Sequence, residues 1–167
     1  MRAMIHPETP ADAAAIRRLT DAAFAGAPHA AGTEGAVVDA LRAEGTLALS
    51  LVAEEAGAVI GHVAFSPVAI GGADVGWFGL GPVSVLPGRQ RAGIGSRLIR
   101  DGLARLRGLG ARGCVVLGDP GYYRRFGFEN DPRLTFEGAP AEYFMRLAFD
   151  HPAPAGPVTY RPAFYAG

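Results

Sequence analysis

The sequence predicts one α/β domain, a mixed β-sheet flanked by helices, and three observations lead there. Strand-like and helix-like segments alternate along the chain instead of falling into separate blocks. With 167 residues, 49% of them hydrophobic and 19% charged, the chain can bury a sizeable core and reads as globular. It shows neither an internal repeat nor a clear linker, so residues 1–167 are expected to form a single domain.

The elements follow in order. Residues 5–8 read as a short strand. Residues 9–24 read as a helix that Thr9 and Pro10 begin, with Ile16, Leu19, Ala23 and Phe24 on one face. After the loop "GAPHAAG", residues 33–43 form a second helix with Val37, Val38 and Leu41 inward. Residues 47–54 and 58–68 are β-rich runs around Gly57, the pattern of a hairpin. Strand material continues over 74–80 and 81–86. Ile94, Leu98, Ile99, Leu103 and Leu106 then repeat at helical spacing over 93–109, and Gly108 and Gly110 end the helix. Residues 112–118 form a continuous apolar strand. "DPGYYRRFGF" is a short turn or helix stopping at Gly127, and late strands are expected over 143–149 and 158–160.

Composition excludes several classes. Formal net charge is zero, which gives no electrostatic case for nucleic acid or for an anionic membrane. The single Cys114 permits no internal disulfide framework or cysteine metal cluster and fits a reducing cytoplasm; no metal is expected. No apolar run approaches the roughly 20 residues of a spanning helix, and the opening residues lack a signal-peptide layout. All sixteen basic residues are Arg. Without Lys, neither Schiff-base chemistry nor a lysine-dependent phosphate loop is available.

The stretch "VSVLPGRQRAGIGSRLIRDGL", residues 83–103, carries the chemistry. A strand breaks at Pro87, a basic turn follows, and Gly93 and Gly95 open a helix. The first N–H groups of a helix lack internal partners, and the dipole adds partial positive charge, so such a turn is an anion cradle. Arg89, Gln90 and Arg91 add donors on the approach, and Ser96 adds a hydroxyl. A dinucleotide fingerprint fails because Leu98 stands where a third glycine is needed. A Walker loop fails because Ile94, not Lys, follows Gly93. An isolated pair of glycines is more simply a tight N-terminal turn.

The longer context resembles the GNAT superfamily of N-acetyltransferases. "VSVLPGRQRAGIGSRLI" is similar to its acyl-CoA motif, Q/R-x-x-G-x-G/A, and "YYRRFGF" is similar to its Y-x-x-x-G-F element. "GHVAFSPV", "VVLGDPGYYRRFGF" and "IHPETPADAAAIRRLTDAAF" further resemble the YhbS-like branch, and the likeness runs from residue 5 to the "VTYRPAF" tail. The resemblance implies a GNAT fold with two parallel central strands, 81–86 and 112–118, splayed around acetyl-CoA. Val83, Ser84 and Val85 would meet the pantetheine, and Val85 N–H would serve as the oxyanion donor. Arg91, Ala92, Gly93, Ile94, Gly95 and Ser96 would wrap the pyrophosphate, with Gly118 and Tyr123 closing the site.

Tyr123, four residues before Gly127, matches the family's proton donor, and a phenol is protonated at neutral pH. Tyr122 would point about 100° away on a helical turn. No motif assigns the general base; Glu34 and His62 are the candidates, each with a structural alternative as a dipole partner or a satisfied strand histidine. Trp77 and Phe78 could line an acceptor pocket or belong to the core. Cys114, in a buried strand, reads as inert, which implies direct transfer to an amine acceptor. The acceptor is a small molecule or a peptide. Exposed strand edges are compatible with a homodimer. The rival reading is a non-catalytic acyl-CoA-binding module.

Overall fold

A computed structural model describes residues 2–27 and 30–165. His29, expected in an uninformative loop, lies outside the described residues. Eight strands form the sheet: β1 (Met4–Pro7), β2 (Leu49–Glu55), β3 (Ala58–Ile70), β4 (Ala73–Val85), β5 (Gly113–Leu117), β6 (Leu134–Thr135), β7 (Phe144–Ala148) and β8 (Gly156–Thr159). The main path runs β1-β2-β3-β4-β5-β7, with β8 pairing the end of β3 and the short β6. Only β4–β5 and β6–β8 are parallel; the other pairs are antiparallel. This is the mixed sheet expected, with the unexpected addition of β6 and one merger. The segments read as 74–80 and 81–86 are a single strand, turned back from β3 at Gly71-Gly72.

Helices α1 (Ala13–Phe24), α2 (Glu34–Glu44) and α3 (Ile94–Gly108) lie between the strands, and α4 (Pro120–Tyr123) is one turn. The two faces of the sheet are covered differently. On one face α3 buries Ile94, Leu98, Ile99, Leu103 and Leu106 against Leu51, Val63 and Phe65. Each fully buried side chain of this kind contributes roughly 1.5–3 kcal/mol. On the other face Ile16 of α1 and Val38 of α2 pack on Val52. Gly45, in the left-handed region at φ +74°, ends α2. Among the described residues no helix is long and apolar enough to cross a membrane.

Trp77 settles as core: it is 2% exposed and packs with Val68, Val115 and Phe144. Phe78 is half-buried against the α3-side core. Neither lines a cleft of the site described below.

Candidate active site

The central strands part in the middle of β4. Trp77–Leu80 pairs in parallel with Gly113–Val116, and there the pairing stops. Between the β3–β4 pairs Phe65↔Leu80 and Val63↔Val83, Ala64 faces two residues, Gly81 and Pro82, which is a β-bulge. Beyond the bulge β4 follows β3, while β5 stays with β7 as far as Leu117. The arms of the V are therefore residues 81–85 and the end of β5, and the paired stem is 77–80.

The ladder fixes which backbone groups face the opening. Leu86 N–H donates to Ile60 C=O at 2.9 Å, so residues 86 and 60 form a hydrogen-bonded pair. By alternation Ser84 exchanges its amide bonds with His62, and the N–H and C=O of Val83 and Val85 point away from β3 into the V. Gln90 Nε2 donates to the outward-facing Val85 C=O at 3.1 Å, which ties the glycine turn to this arm.

The turn closes the far end. Gly93 caps α3 at φ +83°, in the left-handed region, where a Cβ would clash with the backbone. Among the described residues no side chain caps the helix, and its first turn borders a cleft of about 590 Å³. Val83, Val85, Gln90, Arg91, Gly93, Gly95 and Ser96 line that cleft together with Tyr122 and Arg125. Ala92 is exposed in the turn. Ile94 buries its side chain in the core and offers only backbone. Arg89 departs from expectation. Its guanidinium forms two 2.7 Å bonds to Glu55 on β2, and it does not line the cleft. Arg125 supplies the second guanidinium instead, stacked 4.4 Å over the Tyr122 ring.

The two tyrosines separate as the helical turn requires. Tyr122 hydroxyl lies 3.0 Å from Ser96 Oγ in the first turn of α3. Tyr123 lies over the end of β5. A Cβ on Gly118 would sit 2.4 Å from its Cε2, so only glycine lets the ring lie there. Phe126 and Phe128 flank it at 6.1 and 5.9 Å between centroids. Burial, reinforced by Tyr122 and Cys114, pushes the Tyr123 phenol well above its ordinary value and keeps it protonated. Asp119, as expected, caps the turn by accepting Gly121 N–H at 3.0 Å.

The base candidates lie apart from the cleft. Glu34 opens α2 and accepts Ala31 N–H at 2.9 Å, bracing the loop between the first two helices. His62 is fully buried on the α1/α2 face, so it touches no solvent-borne amine directly. Burial lowers its pKa to about 4, with the Glu8 charge opposing and Arg42 assisting. Cys114 is fully buried, and burial pushes its thiol well above the ordinary value.

A half-open parallel pair, a free strand edge and a bare helix N-terminus meet in one cleft, the arrangement that the GNAT resemblance implies. Residues 47–130 match the family model of the acetyltransferase (GNAT) domain. The chain is 38% identical over 153 residues to the uncharacterized N-acetyltransferase YhbS of Escherichia coli strain K12, covering 88% of this chain and 89% of that one. A GNAT acetyltransferase from Brucella melitensis, solved with acetyl-CoA, superposes with a TM-score of 0.88 at 58% identity, covering 97% of each chain. The Escherichia coli YhbS structure, solved with CoA, gives 0.92 at 35% identity, covering 99% of this chain and 93% of that one. The chain belongs to the GNAT acetyltransferase family, close to its YhbS members.

Proposed function

We propose that the protein transfers an acetyl group from acetyl-CoA to a primary amine, directly, within one ternary complex. The observation that carries this reading is the meeting of the outward amides of Val83 and Val85 with the uncapped N-terminus of α3 in one cleft. The relatives solved with acetyl-CoA and with CoA support the choice of coenzyme. The chain's own residues fit it: Gly95 faces Val85 and Tyr122 across the cleft, so a larger side chain there would fill the space a phosphate needs.

Acetyl-CoA supplies the activated thioester. Val83 and Val85 pair with the pantetheine amides as a neighbouring strand would. The free N–H groups from Arg91 to Ser96, with Arg91 and Arg125, hold the pyrophosphate. Tyr122 braces that cradle through Ser96, and its engagement there leaves Tyr123 as the proton donor to the leaving thiolate. Burial of Cys114 favours direct transfer over an acyl-enzyme.

A second reading has an observation of its own. Among the described residues the Tyr123 hydroxyl makes no hydrogen bond, and its ring packs on Gly118, Phe126 and Phe128, as a residue used only for packing would in a non-catalytic acyl-CoA-binding module. Tyr123→Phe separates the two. Thiol release from acetyl-CoA with a panel of primary amines is expected to fall by ~10²-fold in kcat, with acetyl-CoA affinity unchanged. Equal kcat in the two proteins removes the catalytic role of Tyr123.

A further inference from the structure

The coenzyme cleft lies on the α3 side of the sheet, where the glycine turn and α4 border it. With coenzyme seated there, an acceptor reaches the V from the opposite face. Alternation along the strands identifies that face. Phe78 and Cys114 join the α3-side core, so Trp77, Val115 and Leu117 point the other way. Trp77 and Val115 are covered there, whereas Leu117, the last residue of the β5 arm, is 42% exposed. Beside the opening of the V this face of the sheet is bare.

Leu117 pairs with Phe144 of β7, and Phe144 is one wall of a pocket of about 480 Å³ that the coenzyme does not use. Leu134 and Phe136 are its other apolar walls. Phe136 stacks on Phe144 with centroids 5.5 Å apart and meets Tyr160 edge-on at 5.2 Å. A Cβ on Gly138 would come within 2.5 Å of the Phe136 ring, so the glycine leaves room for the ring and the aromatic wall is preformed. The strong polar groups around the pocket are already engaged, with one exception. Asn130 Nδ2 donates to the carbonyls of Glu142 and Phe144, both at 3.0 Å. The Asp131 carboxylate accepts from Arg133 at 2.8 Å and from Arg146 at 3.1 Å. The exception is Glu142, an exposed residue on the pocket rim whose carboxylate has no partner among the described residues. Its neighbour Tyr143 accepts Gly118 N–H at 2.9 Å through its carbonyl, which sets this rim against the β5 arm of the V.

We propose that this pocket holds the tail of the acceptor, a small primary amine with an apolar chain, and that Glu142 draws its ammonium toward the V across Leu117. This role rests on the acetyltransferase reading above and names the acceptor class. Aromatic walls with one placed charge are the usual form of a small-molecule site of this size. A free carboxylate beside apolar walls selects a cation with a hydrophobic tail; an anion would be repelled, and a polyamine would leave the walls unfilled. From the V the pocket lies across β5 and β7, two strand spacings or ~10 Å, so a chain of about eight carbons reaches it and a chain of three does not.

Chain length is therefore the test. Thiol release from acetyl-CoA is measured with propylamine, pentylamine, hexylamine and octylamine, and with spermidine as the polar comparison. Once the tail enters the pocket, kcat/KM should rise about three- to fourfold per methylene, the worth of one buried CH₂. Octylamine should exceed both propylamine and spermidine by at least tenfold. Ala141 stands exposed on the rim, so Ala141→Phe fills the pocket without touching its walls. That variant should lose the rise while its acetyl-CoA affinity stays within twofold of the parent. Glu142→Gln should raise the octylamine KM about two- to fivefold at low ionic strength, a difference that about 0.5 M salt removes. A flat profile in the parent, or the same rise in Ala141→Phe, overturns the proposal and leaves acetyl transfer standing. Equal KM values for the parent and Glu142→Gln at low salt overturn the choice of a cationic ligand. Calorimetry in the presence of CoA reads the pocket without turnover: octylamine should bind the parent at least tenfold tighter than propylamine does, and Ala141→Phe should lose that preference. No preference in the parent overturns the pocket. Octylamine binding with no amine acetylated would sink the acetyltransferase reading, and the acceptor role of the pocket with it.

Discussion

Gly118→Ala displaces Tyr123 without removing it. The glycine's φ lies outside the left-handed region, so the backbone accepts alanine and the ring is the only obstacle. The new Cβ would sit 2.4 Å from Tyr123 Cε2, 3.0 Å from Cδ2 and 3.4 Å from Cζ. Carbon atoms prefer about 3.5–4.0 Å, so the ring must shift by roughly 1 Å. Overpacking of this kind costs about 1–3 kcal/mol. At roughly 2–4 °C per kcal/mol for a domain of this size, Tm should fall by between about 2 and 12 °C. A catalytic group misplaced by about 1 Å loses on the order of 10²-fold in rate. Thermal unfolding, acetyl-CoA titration and thiol release with an amine acceptor together read the three effects. The expected result is a lower Tm, a kcat near that of Tyr123→Phe and an unchanged acetyl-CoA affinity. A destabilised variant with full kcat would refute the role of Tyr123; an unaltered Tm would refute its packing over Gly118.

Three further outcomes follow from the same geometry. Arg125→Ala should weaken acetyl-CoA binding by about five- to tenfold, the effect of one charged hydrogen bond near solvent, whereas Arg89→Ala should change it by less than about twofold; the reverse order in calorimetry would return the phosphate role to Arg89. His62 is buried neutral with a pKa of about 4 against 6.5 unfolded. Between those values the unfolded chain binds the proton and the native chain does not, so stability falls by up to ~3 kcal/mol as pH drops through the window. Urea midpoints at several pH values should show that slope in the parent and lose it in His62→Gln, and equal slopes would contradict the burial account. Cys114→Ala should retain kcat, since the thiol is buried and its pKa raised; a folded but inactive variant would point to an acyl-enzyme.

Much of the fold was legible because its signals are local. Helical spacing marked the inward face of α3, and the glycine turn marked its uncapped start. The continuity of β4 was not legible, because its bulge at Gly81-Pro82 reads like a strand end and becomes visible only against β3. A two-residue strand such as β6 has no periodicity to detect. In the site, backbone roles at residues 83–96 follow from one motif. The side-chain roles that differ depend on distant partners: Arg89 is claimed by Glu55, 34 residues earlier, and Arg125 enters the cleft because α4 folds its turn against α3. The hydrogen bonds that join Glu8, just after β1, to Ser50 of β2 and His62 of β3 link residues far apart in the chain, none of which carries a motif.

The most direct test of the central claim is isothermal titration of the parent and Gly95→Val with acetyl-CoA, using NAD and ATP as controls. The Cβ at position 95 meets only ordinary contacts, 3.6 Å from Val85 and 3.7 Å from the Tyr122 hydroxyl, so the variant should fold while its methyl groups crowd the cradle. With no lysine in the chain, self-acetylation of lysine cannot contaminate the heat. The account predicts acetyl-CoA binding by the parent at Kd of about 1–100 μM, at least tenfold weaker binding by Gly95→Val, and no binding of either control. Absence of acetyl-CoA binding, or equal affinity in the two proteins, would mean that Gly93 and Gly95 serve only the turn.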